Sequence, residues 1–230
     1  MKIVVLTGAG VSQPSGIKTF RDAGGLWEGH RIEDVASPEG WKKNPQVVLD
    51  FYNARRTQLA TVAPNAAHIA IAEWQVKHDV TVITQNVDDL HQRAGSKNVI
   101  HLHGELTKAR STINSDLVQD IGYQEIKNGD VSKYDGSQLR PHIVWFGENV
   151  SLMEEAHNIT KTADAFIVVG TSLQVYPAAG LLEFAPKNSF KVYVDAKPDI
   201  GLLPPDFHTI TNSAEIGVPL LGAHLDRVNR

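Results

Sequence analysis

Gly8, Ala9, Gly10 and Ser12 are the first residues with chemical promise, because they follow directly on the apolar run Ile3–Thr7. Glycines at the end of a strand let the backbone come close to a ligand phosphate, and a helix starting beyond them offers free N–H groups. A plain strand-to-helix turn often carries one glycine too, but two glycines with a serine favour a nucleotide. The dinucleotide fingerprint wants a third glycine where Gln13 stands, and there is no lysine-bearing phosphate loop. A second turn, Gly170-Thr171-Ser172, follows another apolar run. It therefore sits at a strand's carboxyl end, where open α/β sheets bind ligands. His101 and His103 come next, since a neutral imidazole can take a proton from a hydroxyl near neutral pH. Along one strand their spacing puts both on one face, so geometry alone does not choose between them. His68 lies in a predicted helix and reads as a packing or surface residue. Tyr52 and Arg55 are three apart on another predicted helix and share a face, while Arg56 beside them reads as an exposed charge.

The elements that must position these residues are legible from the pattern of apolar runs. Strands are predicted at Ile3–Thr7, Val80–Thr84, Val99–Leu102, Ile143–Phe146, Phe166–Gly170 and Lys191–Val194. Helices are predicted at Pro45–Leu59, Ala66–Lys77, Leu152–Lys161 and Ala214–Leu225. In the second of these, Ile69, Ala72 and Val76 recur at helical spacing and are expected to be its buried face. Asn65, just after Pro64, marks that helix's start. Alternation of strands and helices predicts an α/β fold, a Rossmann-like parallel sheet, over residues 1–230 as a single domain. Two stretches break the alternation. Gln13–Trp41 is rich in Gly, Pro and polar residues and reads as a long functional loop; the region of about 13–60 is expected to form a smaller lobe. Glu105–Arg140 is polar and weakly periodic and reads as a small inserted module.

The 230 residues are 42% hydrophobic and 21% charged, with a formal net charge of −4. That suits a globular chain with a full core. It gives no general reason to bind nucleic acid or an anionic membrane, and no apolar run is long enough to span a bilayer. The apolar N-terminal run passes straight into a glycine turn, unlike a signal peptide, so the chain is expected to be cytoplasmic. There are no cysteines, which excludes disulfides, thiol catalysis and a cysteine-based zinc site.

The stretch Gly8-Ala9-Gly10-Val11-Ser12-Gln13-Pro14-Ser15-Gly16-Ile17-Lys18-Thr19-Phe20-Arg21 resembles the sirtuin signature. Four further blocks follow in that family's order: Thr84-Gln85-Asn86-Val87-Asp88, His101-Leu102-His103-Gly104-Glu105, Val144-Trp145-Phe146-Gly147-Glu148 and Gly170-Thr171-Ser172. The resemblance runs from residue 3 to about 225. It implies an NAD-dependent enzyme that moves acyl groups from protein lysines to ADP-ribose and releases nicotinamide. On that resemblance Ile17, Phe20, Asn86, Val87 and Asp88 line the nicotinamide pocket, with Asn86 also counted as catalytic. Gln85 contacts the ribose, and Arg21 lies on a loop that closes over the cofactor. The glycine turn with Ser12, the Gly170-Thr171-Ser172 turn, Asp195 and Ala214 complete the cofactor set. Asp195 departs from the family's usual Asn, and Lys18 from its usual Pro. His103 becomes the general base, because the family's base directly precedes the glycine, and His101 becomes structural. Val144, Phe146 and Gly147 are expected to pair with the substrate peptide as an added strand, with Val175 on the other side.

Tyr52, Arg55 and Ala36 resemble the residues of the sirtuin class that prefers succinyl and malonyl lysine. Arg can grip a carboxylate with two parallel bonds, Tyr adds a third, and a small residue widens the pocket. Deacetylation is expected to persist. Most sirtuins also carry a zinc module held by four cysteines. Here Ser111 stands where the first would be, and Asp116, Asp120, Asp130 and Asp135 cannot supply thiolate or imidazole ligands. The expectation is an insert without zinc or any other metal, packed instead through Ile113, Leu117, Val118, Ile121 and Tyr123. The expected partners are acylated proteins, and the expected state is a monomer. An ADP-ribosyltransferase, or a non-catalytic sensor of NAD or ADP-ribose, are the alternatives; release of nicotinamide with an acylated peptide, or label passing from NAD to protein, separates them.

Overall fold

The computed structural model describes residues 1–18, 26–27 and 29–228. In chain order it contains β1 (Lys2–Thr7), the hairpin β2 (Leu26–Trp27) and β3 (His30–Arg31), then α1 (Ile32–Val35), α2 (Pro38–Lys43), α3 (Pro45–Thr61) and α4 (Ala66–Trp74). There follow β4 (Asp79–Thr84), α5 (Leu90–Arg93), β5 (Val99–His101), β6 (Gly104–Ser111), β7 (Val118–Asp120) and β8 (Leu139–Ile143). The chain ends with α6 (Met153–Thr160), β9 (Ala165–Val169), β10 (Phe190–Asp195), β11 (His208–Thr211) and α7 (Ala214–Val228).

Six of the strands form one parallel sheet in the order β11-β10-β9-β1-β4-β5. The central strands β1 and β9 read as unbroken apolar runs because helices cover both faces. Ile3, Val5, Ile167 and Val169 join one core with α4 and α7. Val4, Leu6, Phe166 and Val168 join a second core with Met153 and Ala156 of α6. From β1 the chain moves outward through β4 and β5, then returns to β9 on β1's other side. That reversal opens a crevice at the carboxyl ends of β1 and β9, the place where such sheets take ligands.

The predicted sheet and its parallel sense are present, but four local readings change. The buried face of α4 is Ala67, His68, Ala70, Ile71 and Trp74; Ile69 and Val76 are 45% and 85% exposed. Small alanines let α4 lie close to α7, and His68 is buried because both ring nitrogens have partners, Asn65 N–H and Ser12 Oγ. The stretch expected as a long loop is helical from Ile32 onward. The strand expected at Ile143–Phe146 ends at Ile143. Beyond it the N–H groups of Val144, Trp145 and Phe146 turn to the His103 carbonyl, the Glu148 carboxylate and the Ala36 carbonyl.

The fourth change concerns Arg56, which is fully buried rather than exposed. It donates to the Leu106 carbonyl at 2.6 Å and to Asn53 Oδ1 at 2.5 Å, with a longer contact to the Gln124 carbonyl. Asn53 in turn pairs with both the N–H and the carbonyl of Ile126 at 2.9 Å. One face of α3 therefore carries the insert, whose strands form the antiparallel sheet β7-β6-β8.

Candidate active site

Strand ends bring the predicted residues to the crevice, and hydrogen bonds tie most of them together. After β4, Gln85 donates through its side chain to Thr171 Oγ1 at 3.0 Å, joining two loops. Asn86 donates to the Gly8 carbonyl at 3.1 Å and to Ser12 Oγ at 3.0 Å. Ser12 Oγ donates to Asp88 Oδ2 at 2.9 Å and lies 3.4 Å from His68 Nε2. Because Asn65 N–H points at His68 Nδ1, Nε2 carries the proton and donates to Ser12. A hydroxyl has one proton and two lone pairs, so Ser12 is fully engaged. Its side chain ties Asn86, Asp88 and His68 together at the base of the first turn. Burial holds the Asp88 carboxyl above its ordinary value, against the Ser12 bond and the Leu90 N–H.

The glycines of the first turn also allow a close approach to the second turn. A Cβ on Gly10 would lie 2.7 Å from Gly170 Cα, and one on Gly8 would lie 2.8 Å from the Gly170 oxygen. Gly170 itself has φ +60°, a region glycine enters without steric cost. The two turns are packed backbone to backbone. No α-helix starts at this turn; Ala9–Val11 and Gln13–Ser15 are single 3-10 turns. Their bonds engage the N–H groups of Gly10, Val11 and Ser12 internally.

His103 lies just past β5, in the turn before β6, so it does not share a strand face with His101. His103 Nδ1 is 2.9 Å from the Gln85 carbonyl. A carbonyl only accepts, so Nδ1 bears the proton and Nε2 presents a lone pair. Burial pulls the imidazole below its ordinary value, partly opposed by that Gln85 bond. It is therefore neutral at pH 7 and able to accept a proton. His101 differs: Nδ1 meets the Asn86 carbonyl at 3.1 Å and Nε2 meets the Gln92 amide at 2.5 Å. With both nitrogens held, His101 fixes the Asn86 backbone. Gly104 is needed beside His103, since its φ is +83° and a Cβ would fall 2.0 Å from the His142 oxygen.

Ile17 and Val87 pack against an apolar cluster that contains Ala36, Phe51, Tyr52, Leu106 and Trp145. Tyr52 is buried, and its hydroxyl accepts from Trp145 Nε1 at 3.2 Å. Arg55 is half-buried, with its guanidinium 5.5 Å above the Phe51 ring. Ala36 closes α1 and binds the Phe146 N–H through its carbonyl. Phe146 and Val175 are 51% and 37% exposed. Because the N–H groups of residues 144–146 are engaged internally, this segment offers a peptide fewer main-chain bonds than an open strand edge. Asp195 accepts from Lys197 N–H at 2.7 Å. Ser172 is half-buried at the second turn. The Ala214 side chain is packed into the core, so only its backbone can face a ligand. Phe20 and Arg21 lie outside the described residues.

Sequence reasoning missed Glu148 as more than part of a motif. It binds Arg110 at 2.9 Å and grips Arg140 through both oxygens at 2.7 and 3.1 Å, and it accepts the Trp145 N–H at 2.9 Å. Burial alone would raise its carboxyl, but the bonds from Arg140 and Trp145 and the two arginine charges win and hold it low.

The insert does not fit structural zinc. Where ligands would stand, Ser111 Oγ donates to Asp135 at 2.6 Å and receives the N–H groups of Ile113 and Asn114 at 3.0 Å. Ser137 adds its N–H and hydroxyl to Asp135 at 3.1 and 2.8 Å. These are hydroxyls and a carboxylate already bonded to one another, not the thiolates or imidazoles zinc prefers. Apolar packing through the expected residues is slight, since Ile113 and Tyr123 are 81% and 40% exposed. Leu117 and Val118 are only half-buried, while Ile121 borders a small cluster of Leu49, Ala109, Ile126 and Leu139.

Among known proteins, an NAD-dependent protein deacylase of Helicobacter pylori is 56% identical over 212 residues, covering 92% of each chain. An enzyme of the same name from Bacteroides thetaiotaomicron is 49% identical over 221 residues, covering 94% of each. The solved structure of a Sir2 homologue in complex with NAD superposes with a TM-score of 0.86 at 36% identity, over 100% of this chain and 91% of that one. The Sir2 family profile matches residues 8–177, and with the crevice, the paired turns and the half-buried imidazole beyond the strands' carboxyl ends, the chain belongs to the Sir2 family.

Proposed function

We propose that this chain removes acyl groups from protein lysines with NAD, releasing nicotinamide and an acylated ADP-ribose, and that it favours acidic acyl groups such as succinyl. The observation that carries the reading is the Gln85 carbonyl at His103 Nδ1, which leaves Nε2 as a base at the mouth of the crevice. NAD, when bound, supplies the ribose that receives the acyl group. The chain's own residues do the rest: His103 takes a ribose hydroxyl proton, Asn86 and Asp88 give polar contacts to nicotinamide, and Ile17 and Val87 keep water out. Gln85 and the paired turns, with Asp195, border the cofactor. Tyr52 and Arg55 hold the carboxylate of the acyl chain beside the small Ala36.

The test is mass spectrometry of one lysine peptide carrying acetyl, malonyl or succinyl, incubated with NAD. Arg55→Met is expected to lower the rate on succinyl-lysine about ten- to a hundredfold relative to acetyl, the worth of a charge-assisted bond. An equal loss on both substrates would remove Arg55 from the acyl pocket.

We further infer that the insert holds without zinc. A chelator is expected to leave the melting temperature unchanged, whereas acid should not. The hydrogen bonds from Ser111 and Ser137 hold the Asp135 carboxyl at about 2, below its ordinary 3.8. A depressed carboxyl stabilises the fold fully above the higher value and loses that contribution as pH falls toward the lower. The gap in melting temperature between the parent and Asp135→Asn should therefore shrink from pH 5 to pH 2. A constant gap would detach Asp135 from the insert's stability.

A further inference from the structure

Trp145 is 2% exposed and held on several sides. The Arg140 guanidinium stacks on its ring with Cζ 3.3 Å from the centroid, and Trp41 packs at 5.8 Å. Arg140 is itself fixed by its two-armed bond to Glu148 and by the Ile143 carbonyl at 3.0 Å. The Trp145 backbone is tied to the same carboxylate. The indole ring therefore has one orientation, and in it Nε1 points at the Tyr52 hydroxyl.

An indole N–H can only donate. Tyr52 must receive it through an oxygen lone pair, which turns the hydroxyl proton away from Trp145. The hydroxyl proton is thereby directed to the other side of Tyr52, where it can donate to an acceptor. An ionised carboxylate is acceptor-only, while the methyl end of an acetyl group offers no acceptor at all.

We propose that Trp145 is a positioning residue for acyl selectivity: its N–H sets Tyr52 as a hydrogen-bond donor, and the Arg140–Glu148 bridge holds the indole in that pose. This rests on the reading of Tyr52 and Arg55 as the grip on an acyl carboxylate. At 2% exposure Trp145 is shielded from the crevice and acts through Tyr52. Arg140 belongs to β8 and Arg110 to β6, so the insert sheet supplies the bridge that sets a group on α3.

The experiment compares kcat/KM for one peptide bearing succinyl- or acetyl-lysine, at saturating NAD, with the full chain. Trp145→Phe keeps an aromatic ring under Arg140 and removes the N–H together with the five-membered half of the indole. It is expected to lower the succinyl-to-acetyl ratio about three- to tenfold, the range of one neutral hydrogen bond, mainly through KM for the succinyl peptide. Tyr52→Phe should lower the ratio similarly, and the double variant should fall no further than Tyr52→Phe alone, because the N–H then has nothing to orient. Equal losses on both acyl groups, or additive losses in the double variant, would overturn the proposal and leave Trp145 a packing residue. If Trp145→Phe fails to fold, Arg140→Lys carries the test. It loses the planar stack and the two-armed bond, so the same direction of shift is expected, and an unchanged ratio refutes the proposal. Should Tyr52→Phe and Arg55→Met both leave the ratio at the parental value, the carboxylate reading itself fails and takes this proposal with it.

Discussion

Changing His103 to alanine is expected to lower deacylation about 10²- to 10⁴-fold, the contribution of a well-placed general base. Stability should change little by comparison, since the ring makes one hydrogen bond, to the Gln85 carbonyl. The pH profile gives a second reading. Burial lowers the His103 value below 6.5, so the ring stays unprotonated, and able to act as a base, to a lower pH than an ordinary histidine. The parent's rate should hold as pH falls through 6.5 and drop only below the depressed value. In His103→Ala that acid limb should vanish along with the rate. A variant that deacylates at the parental rate, or that keeps the same acid limb, would move the base elsewhere.

The second large effect is on stability. Arg56→Met should destabilise the chain by about 2–4 kcal/mol, because Asn53 Oδ1 and the Leu106 and Gln124 carbonyls lose a charged donor inside the protein. The opposing term is real: burial lowers the Arg56 guanidinium to about 10, so its charge is held at some cost that a neutral side chain escapes. Loss of the charged donor to the Leu106 and Gln124 carbonyls and to Asn53 Oδ1, which keeps only the Ile126 N–H, outweighs that gain. For a chain of this size the loss corresponds to a fall in melting temperature of about 4–16 °C. Hydrogen exchange should quicken first in β6 and around Ile126, where Arg56 and Asn53 anchor the insert. A drop under about 2 °C, with β6 protection intact, would mean that the insert stands without this anchor.

Arg56 also illustrates what a sequence can and cannot disclose. The parallel sheet, five of its six strands and α3 were legible from local apolar runs, whereas the polar edge strand β11 was not. Arg56 was not, because its acceptors come from Leu106 and Gln124, 50 and 68 positions away along the chain. Side-chain type alone reads as surface until those carbonyls are in place. The buried face of α4 was misassigned for a related reason. Counting large apolar residues favoured Ile69 and Val76, whereas the core took the small alanines and a histidine with both nitrogens bonded. His103 was distinguished from His101 by its neighbouring glycine. The structure supplies the physical difference: one imidazole has both nitrogens occupied, and the other has one. The insert's Ser111–Asp135 knot escaped notice because hydroxyls carry no periodicity.

The contact between Gly10 and Gly170 has a consequence for anyone who would redesign this chain. At this point two loops separated by well over half the sequence meet backbone to backbone, so neither can be exchanged alone. A graft that brought a bulkier first loop from another nucleotide-binding protein would wedge the mouth of the sheet apart. Transplanting both loops as one cassette keeps their mutual spacing, and with it the width of the slot they frame.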